Sequence, residues 1–375
     1  MTIKMIYRDE KMKFIHIADM HFDSPFVNLS DKDGLGDLRR LEQRKAFKKV
    51  IEYIKENKIK YLFISGDLYE QKYIKKSTIE YINNLFKEIP ETKIFISPGN
   101  HDPYTKNSYY NQFNWNENVK IFTSKIEKIE CEDANIYGYG FDDFYCKKSG
   151  IENIQIENKN KLNVLVIHGT LDGGAIENSE YNPLSKKILK EKDFDYVALG
   201  HIHKLDYNQE ENQNVVYPGS TVSLGFDELG KHGMIVGELE KEKINLQFVP
   251  LDETEFKLYE LDFTEIISKE ELIEKINELE FEKNNLIEII LVGKRNFEID
   301  RYELYKLISN DKIIKIKNKT KINYDLEKMS NETTLKGLFA KEMLRKLNDE
   351  NISNKEKEII EKAVEIGMEG FGDVP

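Results

Sequence analysis

Residues 196–203 read Tyr-Val-Ala-Leu-Gly-His-Ile-His. The first four are apolar, a run short enough to form one buried strand. The run stops at a glycine, and two imidazoles follow, two positions apart. Extended backbone puts such residues on one face, so His201 and His203 form a pincer suited to a metal ion. The same arrangement recurs along the chain. Apolar residues 14–18 precede Asp19-Met20-His21, and residues 61–65 precede Gly66-Asp67. Residues 94–97 precede Pro98-Gly99-Asn100-His101-Asp102, and residues 164–167 precede His168-Gly169. Asp19 alone reads as a cap, and Gly66-Asp67 alone reads as a turn. Five strand ends that all deliver metal-competent groups have no such ordinary reading. Open α/β sheets build their sites at the carboxyl ends of strands.

Outward from these motifs the chain alternates strand and helix. Leu41, Phe47, Val50, Ile51 and Ile54 fall at helical spacing, as do Ile79, Ile82, Leu85 and Phe86, before Pro90. A βαβαβ order implies parallel strands with covering helices. Further strands are predicted at 164–168, 195–199, 215–218, 234–239 and 244–249. The close spacing of the late ones predicts a second, more antiparallel sheet. After about Leu251 no histidine remains. Strands at 256–261, 287–292 and 313–316, with helices at 270–279 and 302–309, make a small α+β module. The tail is helical from Thr333, with Leu335, Leu338, Phe339, Met343, Leu344 and Leu347 in one stripe and a second helix at 354–366. The expected division is 1–251, 252–325 and 326–375.

With 375 residues, two or three domains are expected. A net charge of -12 argues against coating nucleic acid by bulk electrostatics. It leaves room for a nuclease that uses metals and local lysines. The run Arg39, Arg40, Arg44, Lys45, Lys48 and Lys49 reads as a solvated helix face. Cys131 and Cys146 make no disulfide framework. No apolar run reaches the ~18 residues of a membrane span, and residues 1–13 do not resemble a signal peptide. A cytoplasmic location is therefore expected, with no membrane partner. Residues 1–11 read either as an extension or as preceding a start at Met12.

Carboxylate, amide oxygen and imidazole without thiolate suit Mn, Fe, Zn or Co. Two such ions roughly 3.5–4 Å apart can share one carboxylate, polarise a phosphoryl oxygen and lower the pKa of a water. The chemistry indicated is phosphoester hydrolysis. His16, inside a strand, and His232, in Gly230-Lys-His-Gly233, read as a core and a turn residue and are left out of the site.

The order D-x-H, G-D, G-N-H-D, H-G, G-H-x-H resembles the calcineurin-like metallophosphoesterase superfamily. Ile15-His-Ile-Ala-Asp-Met-His-Phe-Asp-Ser-Pro-Phe26, Asp195-Tyr-Val-Ala-Leu-Gly-His-Ile-His-Lys204 and Val216-Tyr-Pro-Gly-Ser220 are similar to its DNA repair exonuclease branch, the SbcD- and YhaO-like group. The resemblance covers about residues 12–250. It implies an α/β fold: a four-layer αββα sandwich, then a small α+β capping domain and a helical C-terminal tail. It implies two divalent metal ions, with Mn2+ the expected choice. Asp19, His21, Asp67 and His203 would hold one ion. Asp67, Asn100, His168 and His201 would hold the other, with Asp67 bridging.

His101 would face the scissile phosphate and stabilise or protonate the leaving oxygen. Glu70 stands where many relatives have an aspartate that orients this histidine, and Asp102 is the alternative orienter. The implied partners are DNA, an SbcC-like coiled-coil ABC-type ATPase docked on the tail, and a second copy in a homodimer. A tail packed on its own domain is an equal alternative. Lys72, Lys75, Lys76, Lys106 and Lys204 are placed to meet phosphates. Tyr104, Tyr109, Tyr110, Phe113 and Trp115 crowd one loop, either stacking on bases or, more simply, packing. The leading reading is a Mn-dependent DNA exonuclease, with endonuclease activity as an extension. A small-molecule phosphodiesterase or phosphatase, and a DNA-end-binding scaffold for an ATPase, are the alternatives.

Overall fold

The computed structural model describes residues 11–26, 29, 34–171, 180–207 and 213–372. The chain divides into two compact units, Met1–Phe256 and Lys257–Pro375. In the first, β1 (Met12–Ile17), α1 (Leu35–Asn57), β2 (Tyr61–Ile64), α2 (Lys76–Lys87), β3 (Lys93–Ile96), α3 (Tyr109–Gln112) and β4 (Val119–Ile121) follow one another. Then come β5 (Glu127–Glu130), β6 (Ala134–Gly138), β7 (Leu162–His168), β8 (Thr170–Leu171), β9 (Pro183–Leu184) and α4 (Lys186–Lys192). The unit closes with β10 (Tyr196–Gly200), β11 (Val215–Val216), β12 (Gly233–Glu240) and β13 (Lys243–Pro250).

One sheet has the order β13-β12-β1-β2-β3-β4 and the other β11-β10-β7-β6-β5. Successive residues of β10 show how they stack. Tyr196 and Ala198 join Phe14, Phe63, Phe95 and Val164 between the sheets. Val197 and Leu199 point the other way, into a core with Ile151 and with Leu189 of α4. This two-residue alternation on both faces is why the strand reads as an unbroken apolar run. On the far face of the first sheet, Phe47, Val50 and Ile51 of α1 and Ile79, Ile82 and Phe86 of α2 pack against Ile15, Ile17, Leu62 and Ile64. The layer order is therefore αββα, as the resemblance implies.

The second sheet departs from the antiparallel expectation. β11, β10, β7 and β6 run parallel, and only β5 is antiparallel. The late antiparallel hairpin β12–β13 instead joins the first sheet, where β12 pairs with β1. Close spacing identifies a hairpin but not the sheet that receives it. The basic run of α1 departs too: Arg39 is fully buried. Its guanidinium donates to Asp252 and to the Ser223 carbonyl, each at 2.7 Å, beneath the Phe256 ring.

The second unit takes all but the first two residues of β14 (Glu255–Asp262), then α5 (Lys269–Asn277), β15 (Asn285–Val292), β16 (Lys294–Arg295), α6 (Arg301–Leu307), β17 (Ile313–Asn318) and β18 (Lys321–Ile322). It ends in α7 (Leu326–Met329), α8 (Leu335–Leu347) and α9 (Asn354–Gly370). Its main sheet, β14-β15-β17, buries Ile289, Leu291 and Ile316 against Leu272, Ile276 and Leu304. The tail stripe splits. Phe339, Met343, Leu344 and Leu347 pack around Ala340, Val364 and Met368, whereas Leu335 and Leu338 are exposed. No helix among the described residues is long and apolar enough to cross a membrane.

Candidate metal centre

The ends of β1, β2, β7 and β10, with the loop after β3, carry the polar residues that the motifs singled out. The ends of β1 and β2 stay tied beyond the strands: Asp19 N–H donates to the Gly66 carbonyl at 3.1 Å and His21 N–H to that of Asp67 at 2.9 Å. Asp19, His21, Asp67 and His201 all have positive φ, at 51°, 50°, 51° and 109°. Left-handed backbone is costly for residues with a Cβ, and such outliers concentrate at functional sites. Two glycines make the space. A Cβ on Gly66 would lie 2.3 Å from His168 Nδ1, and one on Gly99 would lie 2.2 Å from Asp67 Oδ1.

The hydrogen bonds fix which nitrogen of each ring is free. Among neutral rings, a nitrogen that faces an acceptor carries the proton, which leaves the other as a lone pair. His21 Nδ1 faces Glu70 Oε1 at 2.7 Å, and His203 Nδ1 faces Glu228 Oε1 at 2.5 Å. Their Nε2 atoms then confront each other at 3.1 Å. His168 Nδ1 donates to the Ser65 carbonyl at 2.9 Å, so its Nε2 meets Asn100 Oδ1 at 2.9 Å as acceptor to acceptor. Asp67 Oδ1 accepts the His101 N–H at 2.8 Å. Its Oδ2 lies 3.8 Å from His21 Nε2 and 3.4 Å from His168 Nε2.

Lone pairs aimed at lone pairs mark a cation site. Metal–ligand bonds of about 2.1 Å at right angles put neighbouring donors about 3 Å apart. The donor set therefore fits divalent ions. Ligand atoms of Asp19, His21 and His203 lie within 4.8 Å of one another, as do those of Asp19, Asp67 and His168, and those of His21, Asp67 and His101. The His201 ring stands 5.2 Å from that of His168, and the backbone N–H of His201 donates to Asp19 Oδ1 at 3.0 Å. His101 is less buried, its side chain 45% exposed, and its Nδ1 reaches Glu70 Oε2 at 3.0 Å.

The electrostatics agree. Burial pushes Asp19 up to about 7 and Asp67 well above the carboxylate range. Burial holds His21 and His201 down at about 4 and His168 well below the usual imidazole value. Burial would also lower His203, but the Glu228 hydrogen bond and the Asp19 charge outweigh it and raise the ring to about 9. His101 follows the same pattern: burial opposes, Glu70 and Asp67 prevail, and the value is about 9. Burial pushes Glu70 up, yet the His101 and His21 hydrogen bonds hold it at about 2. Asp19 and Asp67 resist ionising and His21, His168 and His201 resist protonating, whereas His203 and His101 hold a proton; the buried group is one that added positive charge stabilises. A divalent cation supplies it, displacing protons as it binds.

Some supporting residues follow the sequence reading and others depart from it. Glu70 contacts both His21 and His101, one through each carboxylate oxygen. Asp102, the alternative orienter, is committed elsewhere: it accepts the N–H groups of Asp67, Leu68 and Gly99 and the Tyr110 hydroxyl. His232 is buried, with Nδ1 2.8 Å from Ser220 Oγ and Nε2 donating to the Glu228 carbonyl at 3.0 Å. His16 is a core residue, 2.9 Å from the Tyr196 hydroxyl. The aromatic loop packs: Tyr110 is buried, and Tyr104, Tyr109, Phe113 and Trp115 lie against the core under the first sheet.

Glu228 carried no sequence signal. It orients His203 and is itself held by Ser220 Oγ at 2.7 Å and Leu224 N–H at 3.0 Å. Partners that orient a ligating histidine typically change metal affinity 10–100-fold. Glu228→Gln is expected to weaken one metal equivalent by about that much, read by calorimetric titration. Unchanged affinity would mean that Glu228 does nothing through His203.

Residues 12–205 match the family described as calcineurin-like phosphoesterase. Over 263 residues the chain is 26% identical to "Uncharacterized metallophosphoesterase YhaO" of Bacillus subtilis, with 68% of this chain and 64% of that protein covered. The match thus spans just under two thirds of that relative. Over 299 residues it is 29% identical to the SbcD component of the SbcCD nuclease of Staphylococcus epidermidis, covering 69% of this chain and 75% of the other. The component of the same name from Staphylococcus saprophyticus is 28% identical over 273 residues, with coverages of 64% and 69%. More than half of the chain lies within the matched family region, the region that supplies this centre, and the protein belongs to the calcineurin-like phosphoesterase family.

Proposed function

We propose that the protein is a manganese-dependent DNA exonuclease that hydrolyses phosphodiesters with two divalent ions. The carrying observation is Asp67 Oδ2, aimed at His21 on one side and His168 on the other. In this reading Asp19, His21, Asp67 and His203 hold one ion, and Asp67, Asn100, His168 and His201 hold the second. When bound, such ions polarise the phosphoryl oxygen and lower the pKa of the attacking water. The chain's own residues do the rest. Asp102 fixes the backbone that presents Asp67. Glu70 engages His101 Nδ1 and leaves Nε2 for substrate. Protonated near neutral pH, that ring can give its proton to the leaving oxygen.

DNA as the substrate is supported by the nuclease components among the relatives and by exposed Lys72, Lys75, Lys106 and Lys204. An SbcC-like ATPase partner is supported by those same names and by exposed Leu335, Leu338, Ile359 and Ile366 on α8 and α9. Leu38 and Leu41, exposed on α1, suit a homodimer contact. In this reading residues 252–325 act as the cap and 326–375 as the partner-binding tail, in a cytoplasmic repair enzyme.

End-labelled DNA and bis-p-nitrophenyl phosphate, offered side by side with Mn2+, test the reading. Mn-stimulated release of nucleotides from DNA is expected. Cleavage of the small diester with DNA untouched would favour the small-molecule phosphodiesterase. DNA binding with hydrolysis of neither substrate would favour a scaffold.

A further inference from the structure

Aromatic rings lead from the metal centre to the surface. The Tyr181 ring lies 5.1 Å from that of His201, at 36° between planes. Tyr145 lies 6.0 Å beyond Tyr181, at 32°. Each step is tilted only moderately, so the rings form a stair of roughly similar planes. Its outer end is open: Tyr145 is 52% exposed, and its neighbour Phe144 is 46% exposed. Two exposed aromatic side chains adjacent in sequence give a flat apolar surface that a ligand ring can reach.

The stair is rigid. Cys146 N–H donates to the Glu180 carbonyl at 2.7 Å, and Asn182 N–H donates to the Cys146 carbonyl at 2.6 Å. Thr170 N–H donates to the Tyr181 carbonyl at 3.0 Å, two residues after His168. Asn182 Nδ2 donates to the His168 carbonyl at 2.7 Å. The strand that delivers His168 thus also holds the segment that carries Tyr181. Charge near Tyr145 is balanced: Asp142 and Asp143 precede it, Lys147 and Lys148 follow it, and Lys147 pairs with Glu180 at 2.9 Å. Such a surface offers little to a phosphate and much to a flat, unpaired ring.

We infer that Tyr145 and Tyr181 form a stacking ledge for the unpaired nucleobase beside the scissile phosphate. Single-stranded or melted ends are then the preferred DNA substrate. This inference rests on the nuclease reading above. A base stacked on Tyr145 lies two ring steps, of 6.0 and 5.1 Å, from His201, which holds its strand at the approach to the centre. Phosphate contacts could not give that preference, because they are equally available to an abasic chain.

The test uses equilibrium binding in the His101→Gln background with Mn2+, read by fluorescence anisotropy of a labelled single-stranded oligonucleotide. A matched oligonucleotide lacks the base next to the terminal phosphodiester. Removing the base is expected to weaken binding about 5- to 150-fold, the range of one base–aromatic stack. Tyr145→Ala should erase that difference, and Tyr145→Phe should restore it, because a phenyl ring stacks without the hydroxyl. Tyr145 is exposed enough that alanine leaves the core untouched. An equal loss on base removal in the parent and in Tyr145→Ala overturns the ledge. If DNA with His101 intact is still cleaved in that case, the nuclease reading survives. Absence of both binding and cleavage overturns the two together.

Discussion

His101→Gln is expected to lower kcat on DNA by about 10²–10⁴-fold, the usual contribution of a positioned proton donor, while metal stays bound. The backbone of residue 101 serves the centre independently of its ring, because its N–H donates to Asp67 Oδ1 at 2.8 Å. Glutamine therefore keeps Asp67 in place and removes only the proton. The leaving group separates this role from simple packing. The DNA alkoxide needs a proton as it departs, whereas p-nitrophenolate does not. The defect should shrink strongly on bis-p-nitrophenyl phosphate. Equal losses on both substrates would deny His101 the role of acid.

The pH profile gives a second readout. Against the pull of burial, Glu70 and Asp67 raise the ring to about 9. Bound cations draw that value down. A general acid is active below its pKa, so the parent's kcat should fall on an alkaline limb at or below about pH 9. The variant should lack that limb.

The strand ends were legible because each pairs an apolar run with turn residues inside ten positions. That pattern singles out Asp19, His21, Asp67, Asn100, His101, His168, His201 and His203 as candidates without knowledge of the fold. Supporting residues lack any such local signature. Glu228 meets His203 from 25 positions away, and Glu70 meets His21 from 49. Each acts only through a side chain crossing between loops, which no periodicity records. Arg39 sat in a basic run that reads as solvent-facing. Its burial is decided by Asp252, 213 positions later. The same distance problem misplaced the late hairpin. β12 and β13 are recognisable as strands, but the free edge of β1, where Met12 pairs with Leu239, lies at the other end of the unit's sequence. His232 looked like a turn residue because its glycines are local, whereas its contacts with Ser220 and Glu228 are not.

Asp67→Asn is expected to abolish activity and also to stabilise the metal-free protein. On the proposed reading Asp67 Oδ2, 3.8 Å from His21 Nε2 and 3.4 Å from His168 Nε2, is shared, so its loss would affect both groups of candidate ligands. Orienting partners alone are worth 10–100-fold in affinity, and a shared ligand exceeds them, on the order of 10³-fold. Bound Mn should therefore fall from two equivalents to at most one. The stability effect has the opposite sign. Burial, and then the nearby Asp102, push the folded-state pKa of Asp67 far above its ordinary value. The folded chain thus binds a proton that the unfolded chain has released. This contribution turns unfavourable as pH rises above about 3.9 and grows until the folded pKa, at about 1.4 kcal/mol per unit.

Asparagine removes that cost. Its oxygen can still accept from His101 N–H, and its NH2 would face two imidazole lone pairs. The metal-free variant should melt at least about 2 °C above the metal-free parent near neutral pH, the shift expected from roughly 1 kcal/mol in a domain of this size. Mn2+ should raise the melting temperature of the parent, as any ligand of the native state does. It should leave the variant nearly unchanged, so that the order of stabilities reverses on adding metal. Two ions retained by Asp67→Asn, or an undiminished thermal shift with Mn2+, would exclude Asp67 as the shared ligand. The reversal, if measured, would show that Asp67 is kept for the cations it holds and against the stability of the fold that buries it.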